Sequence, residues 1–369
     1  MKLPVPCRFF LGLLAAIAIA PALSAAADPG VLGRKDFQFK RGVNISHWLS
    51  QNNAERTYAA AWFSESDIAW IAQQGFDHVR LPVDVRLCVD QQGKLIPAKL
   101  KPVEDCIKWS REHGLGVVLD AHFLPGADFN AVGGDRRVYT DDALQQEVAG
   151  VWRQLATHFA KEGANLRFEI LNEPVAEQNK QLNPFMHRML AAIRESNPTR
   201  LVYLTSNKWS SFSTVPDVEL PEDRNIALTI HNYEPFVFTH QRAPWAGFKD
   251  TMPAVKFPGK VPDLTGHTTP IYHANLKPGD ELTVQQVQDR FAAVETWVAA
   301  HRPGLDVYVG EFGAYRAADP ESARRWISTI VTETERRGWS WAVWDYKGGF
   351  AVRAPDGRGT PILDGLFKK

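Results

Sequence analysis

This chain of 369 residues has no net charge and few cysteines. Lys and Arg together number 42, and Asp and Glu also number 42, so the formal net charge is zero. A chain without an excess of charge gives no reason to expect nucleic acid or an anionic membrane as a partner. We therefore expect neither.

Only three cysteines are present, namely Cys7, Cys88 and Cys106. Cys7 lies in the leader described below, which leaves an even number for the rest of the chain. An oxidising compartment permits disulfides, so the sequence predicts a bridge between Cys88 and Cys106. The alternative is two separately buried thiols, because the sequence does not give the distance between them.

Three kinds of sequence feature are also missing. No Gly/Ser linker, charge block or low-complexity tract divides the chain, which favours one domain over residues 28–369. No glycine-rich phosphate loop follows the first predicted strand, which argues against a doubly wound nucleotide-binding sheet. No two histidines have the close spacing of metal ligands, so no metal site is expected.

The N-terminus has the layout of a cleavable signal peptide. Lys2 and Arg8 lead into an apolar run over residues 9–20, and small residues follow around Ala27. This run is too short to span a bilayer comfortably and Pro21 interrupts it, which argues against a membrane anchor. We predict a signal peptide over residues 1–27 and a secreted or periplasmic protein that is free of the membrane.

Eight short runs rich in apolar and β-branched residues recur along the chain. Runs of this length and composition predict β-strands. They lie at residues 39–45, 77–83, 116–122, 166–171, 200–205, 225–231, 305–312 and 339–346.

Stretches with helical periodicity separate most of these strands. Ser66 and Asp67 begin one predicted helix and Pro320 begins another, while Gly75, Gly114 and Gly338 follow helices as C-terminal caps do. Strand and helix alternate with a period of roughly 35 to 45 residues, which solenoids share. Because the repeats are not similar in sequence, an α/β fold with a (β/α)8 barrel is the better prediction.

Two connections depart from this regular alternation. Residues 206–224 show little helical pattern, and residues 232–283 form a long insertion rich in Pro, Gly and aromatic residues. Long loops in a compact domain are usually functional. We expect the insertion to shape a binding cleft.

Polar residues cluster at the predicted C-terminal ends of the strands, where such barrels hold their active sites. Glu173 ends the fourth strand and Glu311 the seventh, so the two carboxyl groups are expected to face each other across the barrel mouth. Paired carboxylates on either side of a reacting bond are what glycoside hydrolysis requires. The other strand-end residues are Arg80, Asp120, His122, Asn172, His231, Tyr233, Trp344 and Asp345.

Seven short motifs follow one another along the predicted strands. They are RGVNISHW (41–48), HVRLPVD (78–84), VVLDAHF (117–123), LNEP (171–174), IHNY (230–233), VGEFG (309–313) and WAVWDY (341–346). In this order they resemble glycoside hydrolase family five, the cellulase-type family of retaining barrel glycosidases. The resemblance covers essentially the whole mature chain and implies that Glu173 is the acid/base and Glu311 the nucleophile. It also implies active-site roles for Arg80, His122, Asn172, His231, Tyr233 and Trp344.

Several aromatic and polar residues near the strand ends are equally compatible with substrate contact and with loop packing. Trp48, Trp209 and Trp245 are candidate subsite residues, as are His47, His240 and Gln241 at the same odds. Aromatic walls with few polar groups are typical of ligand sites.

The sequence predicts a monomeric, exported endo-β-glucanase that needs no cofactor. Carboxylates supply all the chemistry, and the partner is a β-linked polysaccharide. Alternatives are an exo-acting or transglycosylating enzyme on β-1,3- or mixed-linkage glucan, a mannanase, and a non-catalytic glycan-binding barrel.

Overall fold

A computed structural model describes Met1 and residues 39–51, 62–130, 133–269 and 276–367. The predicted signal peptide lies almost entirely outside these residues. Within them, no helix combines the length and the apolar character needed to cross a bilayer.

The eight predicted strands are all present and close into one parallel barrel, which confirms the (β/α)8 prediction. Around the barrel their order is β1-β8-β7-β6-β5-β4-β3-β2. Their bounds are β1 Arg41–Asn44, β2 His78–Asp84, β3 Gly116–Phe123, β4 Leu166–Glu169, β5 Val202–Thr205, β6 Ile226–His231, β7 Asp306–Glu311 and β8 Ser340–Val343.

Helices surround the barrel and bury its outer face. The longer ones carry apolar stripes that pack on the strands, as with Ile68 and Ile71 of the first. They are α1 Glu65–Gln73, α2 Pro97–Glu112, α3 Asp142–His158, α4 Leu182–Arg194, α5 Val284–His301, α6 Pro320–Glu335 and α7 Pro361–Leu366.

The predicted helix ends agree with the structure. Ser64 precedes α1, and its backbone N–H donates to the Asp67 carboxylate at 2.9 Å. Gly75, Gly114 and Gly338 have φ values of 92°, 73° and 71°. This left-handed conformation strains residues that carry a Cβ, so glycine suits these turns between helix and strand.

The described residues of the two irregular connections form only short elements. Between β5 and β6 lie the turn Asn207–Ser210 and the 3-10 helix Phe212–Asp217, in place of a full helix. The insertion after β6 contains the short helix Phe236–Thr239, the 3-10 helix Pro244–Ala246 and a two-stranded pair of Gly259–Lys260 with Glu281–Leu282. Other 3-10 helices are Val85–Cys88, Arg137–Tyr139 and Asn179–Gln181.

The predicted disulfide between Cys88 and Cys106 is wrong. Both residues, the only cysteines in the described part of the chain, are buried thiols. Cys88 Sγ lies 3.9 Å from the carbonyl oxygen of Asp84, whereas Cys106 lies on α2 beside Ser110. Burial raises the pKa of the Cys106 thiol to about 12. Each thiol therefore behaves as a small apolar side chain in the layer between the barrel and its helices.

Three of the uncertain aromatic and polar candidates pack inside the protein. Trp48 is 3% exposed and its ring contacts Phe63 and Trp109. The buried Gln241 amide binds the backbone of Phe238 and Val255 and so fastens the insertion to itself. For Trp48 and Gln241 the loop-packing alternative holds. His240 is likewise buried, and its ring contacts those of Phe236, Tyr233 and Phe350.

Candidate active site

The two glutamates singled out in the sequence come together at the C-terminal mouth of the barrel. Glu311 is the last residue of β7, and Glu173 follows β4 by four residues. One carboxylate oxygen of each, together with a ring nitrogen of His231, lies within 4.8 Å of the others. Parallel strands end at one edge of the barrel, which is why residues 138 positions apart in sequence meet there.

Arg80 lies beneath this pair and is fully buried. Its guanidinium is 2.7 Å from Glu311, 2.7 Å from Glu169 and 3.1 Å from Asp120. Burial of three carboxylates around one cation leaves a surplus of negative charge. Burial raises the pKa of both Asp120 and Glu169 to about 7, and Arg80 opposes the rise in each case.

Glu311 is the better stabilised of the two mouth glutamates. Arg80 Nη1 donates to its Oε1 at 2.7 Å, and the Tyr233 hydroxyl donates to its Oε2 at 2.9 Å. Burial raises the pKa of Glu311, whereas the Arg80 charge and the Tyr233 hydrogen bond lower it. Both donors favour the ionised form, so Glu311 is suited to act as a carboxylate.

Glu173 has a different environment. Its Oε1 lies 2.9 Å from His231 Nδ1. Burial and the nearby Glu311 carboxylate raise its pKa well above the ordinary range. Because Asp120, Glu169 and Glu311 occupy the guanidinium of Arg80, Glu173 is the carboxyl group best placed to keep a proton.

The backbone of Glu173 is also strained, with φ at 40°. A left-handed conformation costs a residue with a side chain of order 1–3 kcal/mol, and such residues cluster at functional sites. β4 itself ends at Glu169, so Glu173 lies beyond the strand and not at its end, and Pro174 follows it. The result is a carboxyl group held at the rim and 13% exposed.

Polar atoms without protein partners mark where a ligand can bind. Asn172 Nδ2 and His122 Nε2 are buried and have no hydrogen-bond partner among the described residues. Asp120 Oδ2 lies 2.7 Å from His122 Nδ1, and burial lowers the pKa of His122 to about 3. A neutral ring whose Nδ1–H points at Asp120 has Nε2 as an acceptor. The pair thus offers one donor and one acceptor to sugar hydroxyls.

Trp344 stands beside these polar atoms after β8. Its ring is parallel to that of His122, with an interplanar angle of 5° and centroids 5.8 Å apart. His47 approaches the same tryptophan at 6.3 Å, and its Nδ1 lies 2.8 Å from Ser46 Oγ. Trp344 therefore forms an aromatic wall of the site.

Two exposed tryptophans lie in the loops that follow β5 and β6. Trp209, 42% exposed, follows β5, and its indole N–H donates to the Phe129 carbonyl at 2.9 Å. Trp245, 58% exposed, lies in the insertion after β6 and meets the ring of Tyr315 edge-on at 4.9 Å. Both keep aromatic surface available to a ligand, unlike Trp48.

The sequence reasoning missed Glu169 and Asn44, which both bind Arg80. Arg167 and Glu169 are the charged residues of an otherwise apolar strand and lie two positions apart. Residues two apart in a strand point to the same face. Two charged residues on the inner face of a predicted barrel strand were the available signal. Asn44 offered no comparable signal, since asparagine is common at strand ends.

Glu173, His231 and Glu311 are close enough together to hold a metal ion. The Arg80 guanidinium at 2.7 Å from Glu311 already supplies a positive charge and would repel a cation. The absence of a metal stays a prediction on this electrostatic ground.

The arrangement of the two carboxyl groups is suited to double displacement. Retaining glycosidases hold them about 5 Å apart, whereas inverting enzymes need a wider gap for water. The spacing within 4.8 Å at the mouth falls in the first class. One group favours the ionised form and the other the protonated form, as the reaction requires.

Comparison with known proteins agrees with this geometry. The sequence profile of the family Cellulase (glycosyl hydrolase family 5) matches residues 40–349. Endoglucanase C of Acetivibrio thermocellus is 31% identical, with 84% of this chain and 91% of that protein covered. Cellodextrinase A of Ruminococcus flavefaciens is 27% identical, with 81% and 82% covered.

A solved structure shows the same architecture. The Cel5A enzyme of Thermotoga maritima in complex with cellobiose has a TM-score of 0.71 and 26% identity, covering 92% of this chain and 100% of that one. The profile match and the 31% identity establish what the barrel and its paired carboxyl groups suggest: the chain belongs to glycosyl hydrolase family 5 and is a cellulase-like β-glycoside hydrolase.

Proposed function

We propose that the protein is an exported, retaining endo-β-glucanase in which Glu173 is the acid/base and Glu311 the nucleophile. The spacing of these two carboxyl groups within 4.8 Å is the observation that carries the proposal. The endoglucanases among its relatives support the endo mode, and a structurally similar hyperthermophilic endo-β-1,4-glucanase supports a β-1,4-glucan as the substrate.

In the first step Glu311 attacks the anomeric carbon while the glycosidic bond breaks. Glu173 gives its proton to the leaving oxygen, so the departing sugar leaves as an alcohol and Glu173 becomes a carboxylate. Arg80 and Tyr233 hold Glu311 through one oxygen each, which orients the carboxylate for attack. The product is a covalent glycosyl-enzyme of inverted configuration.

In the second step water replaces the leaving group. Glu173 takes a proton from the water, whose oxygen attacks the anomeric carbon and releases Glu311. A second inversion restores the original configuration. Asn172 Nδ2 binds the sugar hydroxyl next to the anomeric carbon throughout, and His122 Nε2 binds another hydroxyl. Trp344 supplies an apolar wall for the ring.

The leader and the domain boundary complete the proposal. Residues 1–27 are a signal peptide removed on export, and residues 28–369 form the catalytic domain. The basic start, apolar run and small residues of the leader support this. We further propose that the enzyme acts as a monomer.

A panel of purified polysaccharides tests the proposed activity. Reducing ends and viscosity are measured on β-1,4-glucan, β-1,3-glucan, mixed-linkage glucan and mannan. Mannan belongs in the panel because the Thermotoga maritima relative has also been solved with mannotriose. An endo enzyme lowers viscosity steeply for each reducing end released. Release of short sugars without loss of viscosity would favour an exo mode, and binding without any release would favour a non-catalytic barrel.

Trp209 is proposed as a platform for the leaving-group side of the substrate. Its backbone N–H donates to the carbonyl of Pro174, the residue after the acid, at 3.1 Å. Lys208, Trp209 and Ser210 all have left-handed φ values, 52°, 60° and 56°. Three such residues in a row cost about 1–2 kcal/mol each. A strained turn beside the acid that presents an exposed indole supports a binding role.

Trp209→Ala is therefore expected to weaken the cleavage of long substrates. The loss should be about 1–2 kcal/mol, roughly tenfold in kcat/KM, from one aromatic contact. An aryl β-cellobioside carries no sugar on the leaving side, so its kcat/KM should stay near the wild-type value. Trp209→Phe retains an aromatic face and serves as the control. Equal losses on both substrates would place Trp209 elsewhere.

A further inference from the structure

Glu169 is a fourth carboxyl group at the site, and it cannot touch the substrate. It lies in β4, four positions before Glu173, and has no exposed surface. Both of its oxygens accept hydrogen bonds from Arg80: Nε donates to Oε2 at 2.7 Å, and Nη2 donates to Oε1 at 2.9 Å. The hydrogen bonds of Glu169 therefore reach the site only through Arg80.

All five N–H groups of Arg80 have a partner. Besides the two bonds to Glu169, Nη1 donates to Asn44 Oδ1 at 2.9 Å and to Glu311 Oε1 at 2.7 Å, and Nη2 donates to Asn172 Oδ1 at 2.8 Å. The guanidinium is planar and rigid, so two bonds along one edge fix its rotation. Glu169 occupies that edge and thereby sets where Arg80 meets Glu311 and Asn172.

The orientation of Asn172 follows from this contact. Because its Oδ1 accepts from Arg80, its Nδ2 points the other way and is the buried donor without a partner described above. A rotated Arg80 would remove the reason for this amide orientation. The hydrogen bond proposed for the sugar hydroxyl next to the anomeric carbon thus depends on Glu169.

Glu169 also affects the site through its charge. It competes with Glu311 for the positive charge of Arg80 and lies near the proton carried by Glu173. Register pairs Glu169 with Asp120 on β3 and with Tyr203 on β5. The charged and titratable groups around it are Arg80 from β2, Asp120 from β3, Tyr203 from β5, Tyr308 from β7, and Arg167 and Glu173 from its own segment.

We propose that Glu169 is a positioning residue: its carboxyl group fixes the rotation of Arg80, so that Arg80 orients both Glu311 and Asn172, and its charge disfavours loss of the proton from Glu173. This rests on the roles proposed above for Glu311 and Asn172. Glu169 therefore controls both sugar recognition and the pH range of activity without contacting the sugar.

Glu169→Gln and Glu169→Asp separate the two effects. The first removes the charge, and the second keeps the charge on a shorter side chain. Glu333→Gln is the matched control, because Glu333 is also a buried carboxylate that binds an arginine, Arg337 at 2.7 Å, but lies on α6 outside the barrel. Folding of each variant is checked by circular dichroism and thermal melting.

Three quantities are measured with an aryl β-cellobioside: kcat/KM, its pH profile, and the penalty when the hydroxyl next to the anomeric carbon is deleted from the substrate. For Glu169→Gln we expect kcat/KM to fall about 100-fold, as for a small misplacement of catalytic groups. The alkaline limb of the profile should move to lower pH, because Glu173 loses a negative neighbour that raises its pKa. The deletion penalty should shrink.

Glu169→Asp should also lose kcat/KM and show a smaller deletion penalty. The limbs of its pH profile should stay at the wild-type positions, because the charge is kept. If Glu169 had a purely structural role, both substitutions would lower kcat/KM at every pH. The limbs of the pH profile and the deletion penalty would then stay as in the wild type, and this result would overturn the proposal. A loss of the same size in Glu333→Gln would also overturn it. If Glu169→Gln does not fold, the deletion penalty of Glu169→Asp decides.

Two controls separate this proposal from the roles proposed above for Asn172 and Glu311. If deletion of the sugar hydroxyl costs the wild type nothing, the role of Asn172 is wrong. If Glu311→Gly remains active, the role of Glu311 is wrong. When both controls behave as proposed, a failure in the Glu169 variants refutes the positioning role alone.

Discussion

Glu311→Gly is expected to lose activity on the order of 10⁵-fold, because no other group in the site can form the covalent intermediate. Glu173, the other carboxyl group at the barrel mouth, is held by His231 and keeps its proton, so it cannot replace the nucleophile. The rate of hydrolysis of an aryl β-cellobioside measures the loss.

Azide should restore turnover of this variant on an activated substrate. Glycine leaves space where the Glu311 carboxylate stood, and azide attacking from there inverts the anomeric carbon once. The product should be an α-glycosyl azide, identified by NMR. A β-glycosyl azide, or no rescue in a folded variant, would contradict the role of Glu311.

The wild-type enzyme tests the same stereochemistry without mutation. Two inversions in sequence should release the β-anomer first from a β-linked substrate. Initial release of the α-anomer would show a single inversion by water. It would overturn the double displacement proposed from carboxylate oxygens that lie within 4.8 Å of each other.

Glu173→Gln is expected to cost about 10²- to 10⁴-fold on polysaccharide, the usual contribution of a general acid. Wild-type activity should be bell-shaped in pH. It falls on the acid side as Glu311 gains a proton, and on the alkaline side as Glu173 loses its proton. Burial raises the pKa of both groups, and the pKa of Glu173 rises further because Glu311 lies beside it.

A glutamine at position 173 has no proton to lose, so the alkaline limb should disappear. An aryl substrate with a good leaving group needs no protonation, so its first step should remain fast. The second step lacks its base, and the glycosyl-enzyme should accumulate to a level visible by mass spectrometry. Azide should then yield the β-product with Glu173→Ala.

Glu177→Gln is the matched control, because Glu177 lies exposed in the same loop after β4. It should retain wild-type rates and both pH limbs. A Glu173→Gln variant that hydrolyses polysaccharide as well as this control would refute the assignment of the acid.

The periodic pattern was sufficient to predict the barrel and the location of its site. Strand, helix and glycine alternate, and Gly75, Gly114 and Gly338 have the left-handed conformation expected of glycines after helices. Since all eight strands are parallel, their C-terminal ends share one edge, and this alone places Glu173 near Glu311. The positions of Glu173 and Glu311 after the fourth and seventh predicted strands were therefore enough to predict that they meet.

Packing contacts between distant segments were not encoded in any local pattern. The sequence made a disulfide between Cys88 and Cys106 plausible, but pairing depends on a distance that only the folded chain sets. Trp48 and Trp209 looked alike as strand-end tryptophans. The fold buries the first against Phe63 and presents the second through a left-handed turn.

The sequence by itself thus determined the fold, the family and the two carboxyl groups, because these depend on period, strand order and residue type. Only the tertiary structure decided how the carboxyl groups differ. Proton affinity depends on burial and on charges within a few ångströms, and Arg80, Asp120 and Glu169 come from three different strands. The barrel places these groups beneath Glu311, whereas the carboxyl group of Glu173 contacts His231.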